Sequence, residues 1–248
     1  MLDKGLAVIE AIADAQQPVK INELATVLGI PRTTVYRLIE PLEAYGYLRR
    51  NESTREYYLW LKLLQLGEKV RNSLEIRRLA YPFMVKLRDE VGFAVHLVVR
   101  DGNEAVYVEK VESNRPVRLF TQIGRRVPLH VTACPRVLLA YCSDEEIRQY
   151  VSATKMVKYT LNTVADPETL WARIREIRAS GYSIAYGELE PETAAIALPV
   201  YGDRGEVAAS LSVAGPEAQF RAEDLDSIVR SVGNCAERIS QELGYERK

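Results

Sequence analysis

The sequence predicts an α+β protein in two parts: a small helical module, then a larger domain of one antiparallel sheet with helices packed on it. Three observations carry this. Up to residue 45 there are three stretches of helical periodicity, followed by a short hairpin. Residues 94–111 read as two strands around an Asp-Gly-Asn turn. Beyond residue 132, helical and strand-like stretches alternate to the end of the chain.

In chain order, Leu2, Leu6, Ile9 and Ala13 share one helical face, with Asp3 near the start as a cap, and Pro18 ends the segment. Ile21, Leu24, Ala25 and Leu28 mark a second helix, broken at Gly29, which tolerates the positive φ of a tight turn. Pro31 opens a third helix reaching about Tyr45, with Val35, Leu38, Ile39 and Leu42 facing inward and Gly46 closing it. Residues 47–51 and 56–60 read as strands joined by a polar turn at Glu52–Arg55. Three helices and a hairpin in this order make a winged helix-turn-helix shape. A long helix is expected over 73–91, striped by Ile76, Leu79, Ala80, Phe83, Leu87 and Val91, with a kink at Pro82. Strands are expected at 94–100, 104–111 and 115–120, then helices at 132–142, 144–151 and 166–180. Further strands are expected at 182–186, 194–200 and 207–214, and a last helix at 223–243. The expected domains are 1–72, a linker helix over 73–92, and 93–248.

Composition narrows the function classes. The chain has 248 residues, 47% of them apolar, and a formal net charge of −1. It has material for real cores but does not announce a nucleic-acid binder by charge. Cys134, Cys142 and Cys235 form no C-x-x-C pair, and His96 and His130 are the only histidines, so neither a metal nor a cofactor is expected. The first residues lack the apolar run of a signal peptide, and nothing approaches a membrane span, which leads us to expect a cytoplasmic protein with no membrane partner.

The third helix carries the chemistry. Opposite its apolar face it shows Thr33, Tyr36, Arg37 and Glu40, with Arg32 and Thr34 in the first turn. Hydroxyls at a helix start can meet phosphates, and an arginine can bond a guanine edge in two places. Residues 1–60 hold seven bases against eight acids, but five of the bases, Arg32, Arg37, Arg49, Arg50 and Arg55, lie on this helix or the hairpin. That segregation suits double-stranded DNA. The DNA-contacting set is therefore Arg32, Thr33, Thr34, Tyr36, Arg37, Arg49, Arg50 and Arg55. A helical domain used only for protein contact is the alternative.

The ordered set LDKGLAVIEAIAD (2–14), INELATVLGIPRTTVYRLIEPLEAYGYLRR (21–50), YYLWLKLLQLG (57–67), HLVVRDGNEAVYVEKVES (96–113), VRLFTQIGRRVPLHVTA (117–133), IREIRASGYSIA (174–185) and ASLSVAGP (209–216) resembles the IclR family of transcriptional regulators. The resemblance spans nearly the whole chain. It implies a homodimer or homotetramer on a palindromic operator, and a GAF-like C-terminal domain that binds a small organic effector, often a carboxylic acid or an aromatic. It implies an effector pocket lined by Gly124, Leu129, His130, Thr132, Ala133 and Cys134 around a helix start, and by Ala185, Ala195, Ser212 and Ala214 on later strands. The chain departs from the family pattern at Cys134-Pro135-Arg136, where a small residue, Gly and Lys are usual. It also carries Ala185, Tyr186, Ala195 and Ala214 where polar side chains are common. Those changes point to an effector with an apolar body and a single carboxylate or other polar head, held at the helix start.

Competing readings are weaker. His130 and Cys134 could form a nucleophilic pair in an enzyme with a vestigial helix-turn-helix, but no carboxylate or Asn at a readable spacing orients the imidazole. Arg125-Arg126 reads as a solvated pair, and His96, in an apolar strand, as a satisfied core histidine.

Overall fold

The computed structural model describes residues 2–15, 17–115 and 121–246. The chain divides into two compact units, 1–73 and 74–248.

The first unit runs α1 (Leu2–Asp14), α2 (Ile21–Leu28), α3 (Arg32–Ala44), β1 (Leu48–Arg50), β2 (Tyr57–Leu59) and α4 (Leu61–Ser73). Its core is Val8, Ile12, Leu24, Val35, Leu38, Ile39, Leu48 and Tyr57. Glu23 caps α2 by accepting the Lys20 N–H at 2.9 Å. Gly29 ends that helix at φ 64°, a conformation that favours glycine. Helix α3 runs through Pro41. The hairpin pairs Leu48 with Leu59 and Arg50 with Tyr57, and Val19 bridges to Tyr57. The buried face of α1 differs from the expected one. Val8 and Ile12 are inside, whereas Leu2 and Leu6 are 76% and 50% exposed. Equal helical periodicity fits two adjacent stripes on α1, and packing against α2 and α3 selects one of them.

The second unit opens with α5 (Glu75–Val91) and the strands β3 (Ala94–Asp101), β4 (Glu104–Val111) and β5 (Arg126–Pro128). Helices α6 (Ala133–Ala140), α7 (Asp144–Ala153) and α8 (Pro167–Ser180) follow. The unit closes with β6 (Ser183–Tyr186), β7 (Thr193–Tyr201), β8 (Val207–Pro216), α9 (Glu217–Ala222) and α10 (Leu225–Glu242). One six-stranded antiparallel sheet has the order β5-β4-β3-β8-β7-β6. Alternate residues of the same strands feed two cores. Val95, Leu97, Ile196, Leu211 and Val213 pack with α5 and α10. Val98, Tyr107, Ala185 and Ala197 pack with α6, α7 and α8.

Helix α5 differs from the linker expected over 73–92. Ala80, Met84 and Leu87 are buried in the core of the second unit, and the helix contacts α10, β3 and β4. It continues through Pro82. Helix α4 was not anticipated; none of its residues 61–70 is buried. The strand expected at 115–120 lies almost wholly outside the described residues. No helix among them is long and apolar enough to cross a membrane.

Candidate functional site

Two regions gather the functional side chains, one in each unit. In the first, burial of Val35, Leu38 and Ile39 fixes the roll of α3 and turns Arg32, Thr33, Tyr36 and Arg37 to solvent, with Thr34 half-buried. The three hairpin arginines differ from one another. Arg55 is exposed in the turn at φ 62°, a strained conformation for a residue with a side chain. That turn is tied by Asn51 Oδ1, which accepts from Ser53 N at 3.0 Å and Thr54 N at 3.3 Å. Arg49 lays its guanidinium 4.4 Å over the Trp60 ring. Arg50 is half-buried over Tyr57 at 5.9 Å, with its Nε buried. Arg50 is thus partly packed into the unit, unlike Arg55 in the turn.

The second region is a cavity of about 40 Å³ between β3, β8 and the start of α6. Strand register builds it: Ser212 lies opposite His96, and Ala195 opposite Ala214. A bulge at Leu97/Val98 shifts the β3–β4 pairing, and the Tyr107 ring meets His96 edge-on at 5.5 Å. Five of the ten expected effector residues line this cavity: Thr132, Cys134, Ala195, Ser212 and Ala214. The other five do not. Leu129 and Ala133 are in the apolar core, and Ala185 is there too, one strand further out than Ala195. Gly124 sits in a turn, donating its N–H to Tyr107 O at 2.7 Å. The Tyr150 hydroxyl accepts the His130 N–H at 3.0 Å and contacts Nδ1 at 2.6 Å, while Nε2 faces Val157 O at 3.4 Å. His130 is thus bonded within the fold away from this cavity, and burial holds its pKa below the usual value.

The cavity also takes in His96, Tyr107, Thr121, Leu189, Glu190 and Thr193, none of which the sequence pointed to. His96 is buried as expected but not satisfied: its Nε2 has no hydrogen-bond partner. Burial, then the nearby Lys110, pulls its pKa down to about 3, so the ring is neutral near pH 7. Burial pushes the Cys134 thiol up to about 11, which removes the thiolate that nucleophilic chemistry needs. Thr132 is held at φ 58°, a costly conformation for a β-branched residue, and strain of this kind collects at ligand sites.

At the helix start expected to hold an anion, one N–H is taken up by a carboxylate of the chain. The Thr132 N–H donates to Glu188 Oε2 at 3.2 Å. That carboxylate is gripped at both oxygens by Arg136, at 2.6 and 2.8 Å, in a pair whose arginine is 1% exposed. Arg125, expected to be solvated, is half-buried and bonds Glu190 at 2.7 Å. Among the described residues no group of three or more His, Cys, Asp or Glu could hold a metal.

Known proteins share these sequence and fold features. The IclR helix-turn-helix domain matches residues 1–52, and the bacterial transcriptional regulator IclR C-terminal domain matches 68–241. The chain is 42% identical to the HTH-type transcriptional regulator KipR of Bacillus subtilis, covering 91% of this chain and 90% of that protein. It is 30% identical to KdgR of Escherichia coli over 98% and 92% of the two chains. Among solved structures, Thermotoga maritima IclR superposes with a TM-score of 0.80 at 27% identity, covering 98% of each chain. An IclR homologue from Microbacterium hydrocarbonoxydans, complexed with 4-hydroxybenzoate, has the same fold at a TM-score of 0.84 and 23% identity, covering 98% of each chain. The chain belongs to the IclR family of bacterial transcriptional regulators, with a DNA-binding helix-turn-helix domain and an effector-binding C-terminal domain.

Proposed function

We propose that this regulator binds a palindromic operator as a homodimer or homotetramer and that a small organic molecule in the β3/β8 cavity controls that binding. The observation that carries the DNA reading is the exposed row Arg32, Thr33, Tyr36 and Arg37 on α3, set opposite a buried apolar stripe on the same helix. Such a helix enters the major groove, while Arg55 at the hairpin tip reaches a flanking phosphate. Self-association is supported by α4, where Leu61, Leu64 and Val70 are each about 60% exposed and none of residues 61–70 is buried. Apolar surface of that kind marks a contact site. Carboxylic acids and aromatics are the ligand classes that the family resemblance suggests, and the 4-hydroxybenzoate held by the Microbacterium protein supports an organic ligand with a polar head.

The test is a mobility shift of the purified chain on DNA from its own upstream region, titrated with candidate ligands. Saturable binding that a ligand changes is expected. Binding of equal strength to unrelated DNA would refute sequence-specific recognition. Replacing Leu61 and Leu64 by Glu is expected to shift sedimentation toward monomer, and an unchanged oligomer would remove α4 from the interface.

A further inference from the structure

The second unit holds another cleft, of about 370 Å³, between the end of β7 and α10, flanked by Tyr141 after α6, Gly181 after α8 and Tyr245 after α10. It shares no lining residue with the β3/β8 cavity. Strand β7 reaches both: Thr193 and Ala195 line the cavity, and Leu198, Pro199 and Tyr201 line the cleft. Strand register opens this space. The pairing of β6 with β7 stops at Ser183 and Ala197, because at Gly181 the chain joins α8. Strand β7 runs on to Tyr201, with β8 on one side and no described strand on the other.

Three tyrosines give the cleft its chemistry. Tyr141, Tyr201 and Tyr245 line it, and each is half-buried rather than sealed in a core. Tyr201 stacks with Tyr245, their centroids 5.0 Å apart and their planes at 24°. It meets Tyr141 at 6.0 Å and 90°. Offset-stacked and edge-on contacts are the two that aromatic rings favour. A flat ring placed in such a corner stacks on one tyrosine and meets another edge-on, whereas a saturated ring of the same size gains only from burial. Leu198, Pro199 and Ala236 add apolar wall. The Ser240 hydroxyl is committed within the fold, accepting the Tyr201 N–H at 2.9 Å and donating to Ala236 O at 2.7 Å.

Gly233 is an independent sign. It sits in the middle of α10, where glycine weakens a helix relative to alanine. Packing does not ask for it, since a Cβ there would meet Leu198 Cδ2 at 3.5 Å, an ordinary contact. Gly233 and Leu198 both line the cleft, so a larger side chain at 233 would fill it. A cavity that takes up benzene measures roughly 150 Å³, and about 370 Å³ has room for two fused rings. We propose that this cleft is a second ligand site, for a flat aromatic molecule of one or two rings held against Tyr141, Tyr201 and Tyr245. The site stands whatever the β3/β8 cavity binds.

The experiment titrates full-length protein with neutral pairs that share a hydroxyl and differ in aromaticity: phenol with cyclohexanol, and 2-naphthol with decahydro-2-naphthol. Calorimetric titration reads affinity, and thermal melting reads the fold of each variant. Each aromatic is expected to bind about fivefold tighter than its saturated partner. Gly233→Leu, which fills the cleft, is expected to abolish that binding. Gly233→Ala is expected to raise the melting temperature, since helix propensity improves and no contact forbids the methyl. Should Gly233→Leu fail to fold, Tyr245→Leu removes one ring near the chain end and is expected to weaken 2-naphthol binding by about fivefold. Saturated alcohols that bind as tightly as the aromatics, or failure of every probe to bind, would overturn the inference. So would unchanged affinity in a folded Gly233→Leu or in Tyr245→Leu, which would place the probe elsewhere, the β3/β8 cavity included. A lower melting temperature in Gly233→Ala would show that packing requires the glycine and would overturn it as well.

Discussion

The Arg136–Glu188 pair gives a prediction whose size follows from its surroundings. Glu188→Leu takes away the carboxylate that faces a guanidinium 1% exposed. Arg136 then keeps only the Ile184 carbonyl at 3.3 Å, and its Nε has no partner even in the intact pair. At 1% exposure the guanidinium has little water to compensate. Breaking one side of a buried pair costs about 3–5 kcal/mol, and the upper half of that range applies here. Arg136→Met should cost less, since Glu188 sits nearer solvent, at 8% exposure, and keeps the Thr132 N–H. The double variant Arg136→Met/Glu188→Leu removes both charges and should recover most of the loss, because apolar replacement of a whole buried pair is close to neutral. The coupling energy of the cycle is then expected at about 3 kcal/mol, within the range measured for groups in direct contact. Urea unfolding of the full chain in a Trp60→Phe background reads it, since the remaining tryptophan, Trp171, lies in the second unit against the α6–α8 core. Single-variant costs that simply add, with coupling below about 0.5 kcal/mol, would show that the pair is hydrated in solution and would refute the reasoning.

Arg37→Ala should weaken operator binding by about 1–3 kcal/mol with no change in melting temperature, because its side chain is exposed and packs on no core residue; unchanged affinity in a mobility shift would remove it from the interface. Arg55→Ala should flatten the slope of log K against log salt by about 0.9, whereas Arg50→Ala should act mainly on stability, since its guanidinium packs on Tyr57; equal slopes for both variants would contradict that division. His96 should make the protein acid-sensitive. Its pKa falls from 6.5 when unfolded to about 3 when folded, so between those values the unfolded chain holds the extra proton and stability drops as pH falls. Above pH 6.5 the contribution is complete. His96→Phe should remove a slope of up to about 1.4 kcal/mol per pH unit over the window from 6 to 4.5, read by urea unfolding; an unchanged acid limb would place the effect in other groups.

Most of the first unit was legible residue by residue. Helix α3 announced itself by a stripe and an opposite polar face, and since one helix's periodicity suffices to say which side is wet, Arg32, Thr33, Tyr36 and Arg37 could be named in advance. The same local logic placed the β3–β4 hairpin and, within a few residues, every helix from α6 to α8. What local pattern could not supply was partnership. The α1 stripe was misjudged because two adjacent faces are both apolar and only the neighbouring helices choose between them. Helix α5 looked like a connector because its stripe does not say what it will pack on. The cavity was half-seen for the same reason. Thr132, Cys134, Ala195, Ser212 and Ala214 were found through family resemblance, but His96 and Glu190 come to them through the strand order β4-β3-β8-β7 and a bulge at Leu97/Val98. Those contacts join residues about a hundred positions apart. The charge logic of the site was likewise a tertiary matter. The helix start at Thr132 carries free N–H groups in any isolated helix, and in this protein the folded chain brings Glu188 to one of them, the Thr132 N–H.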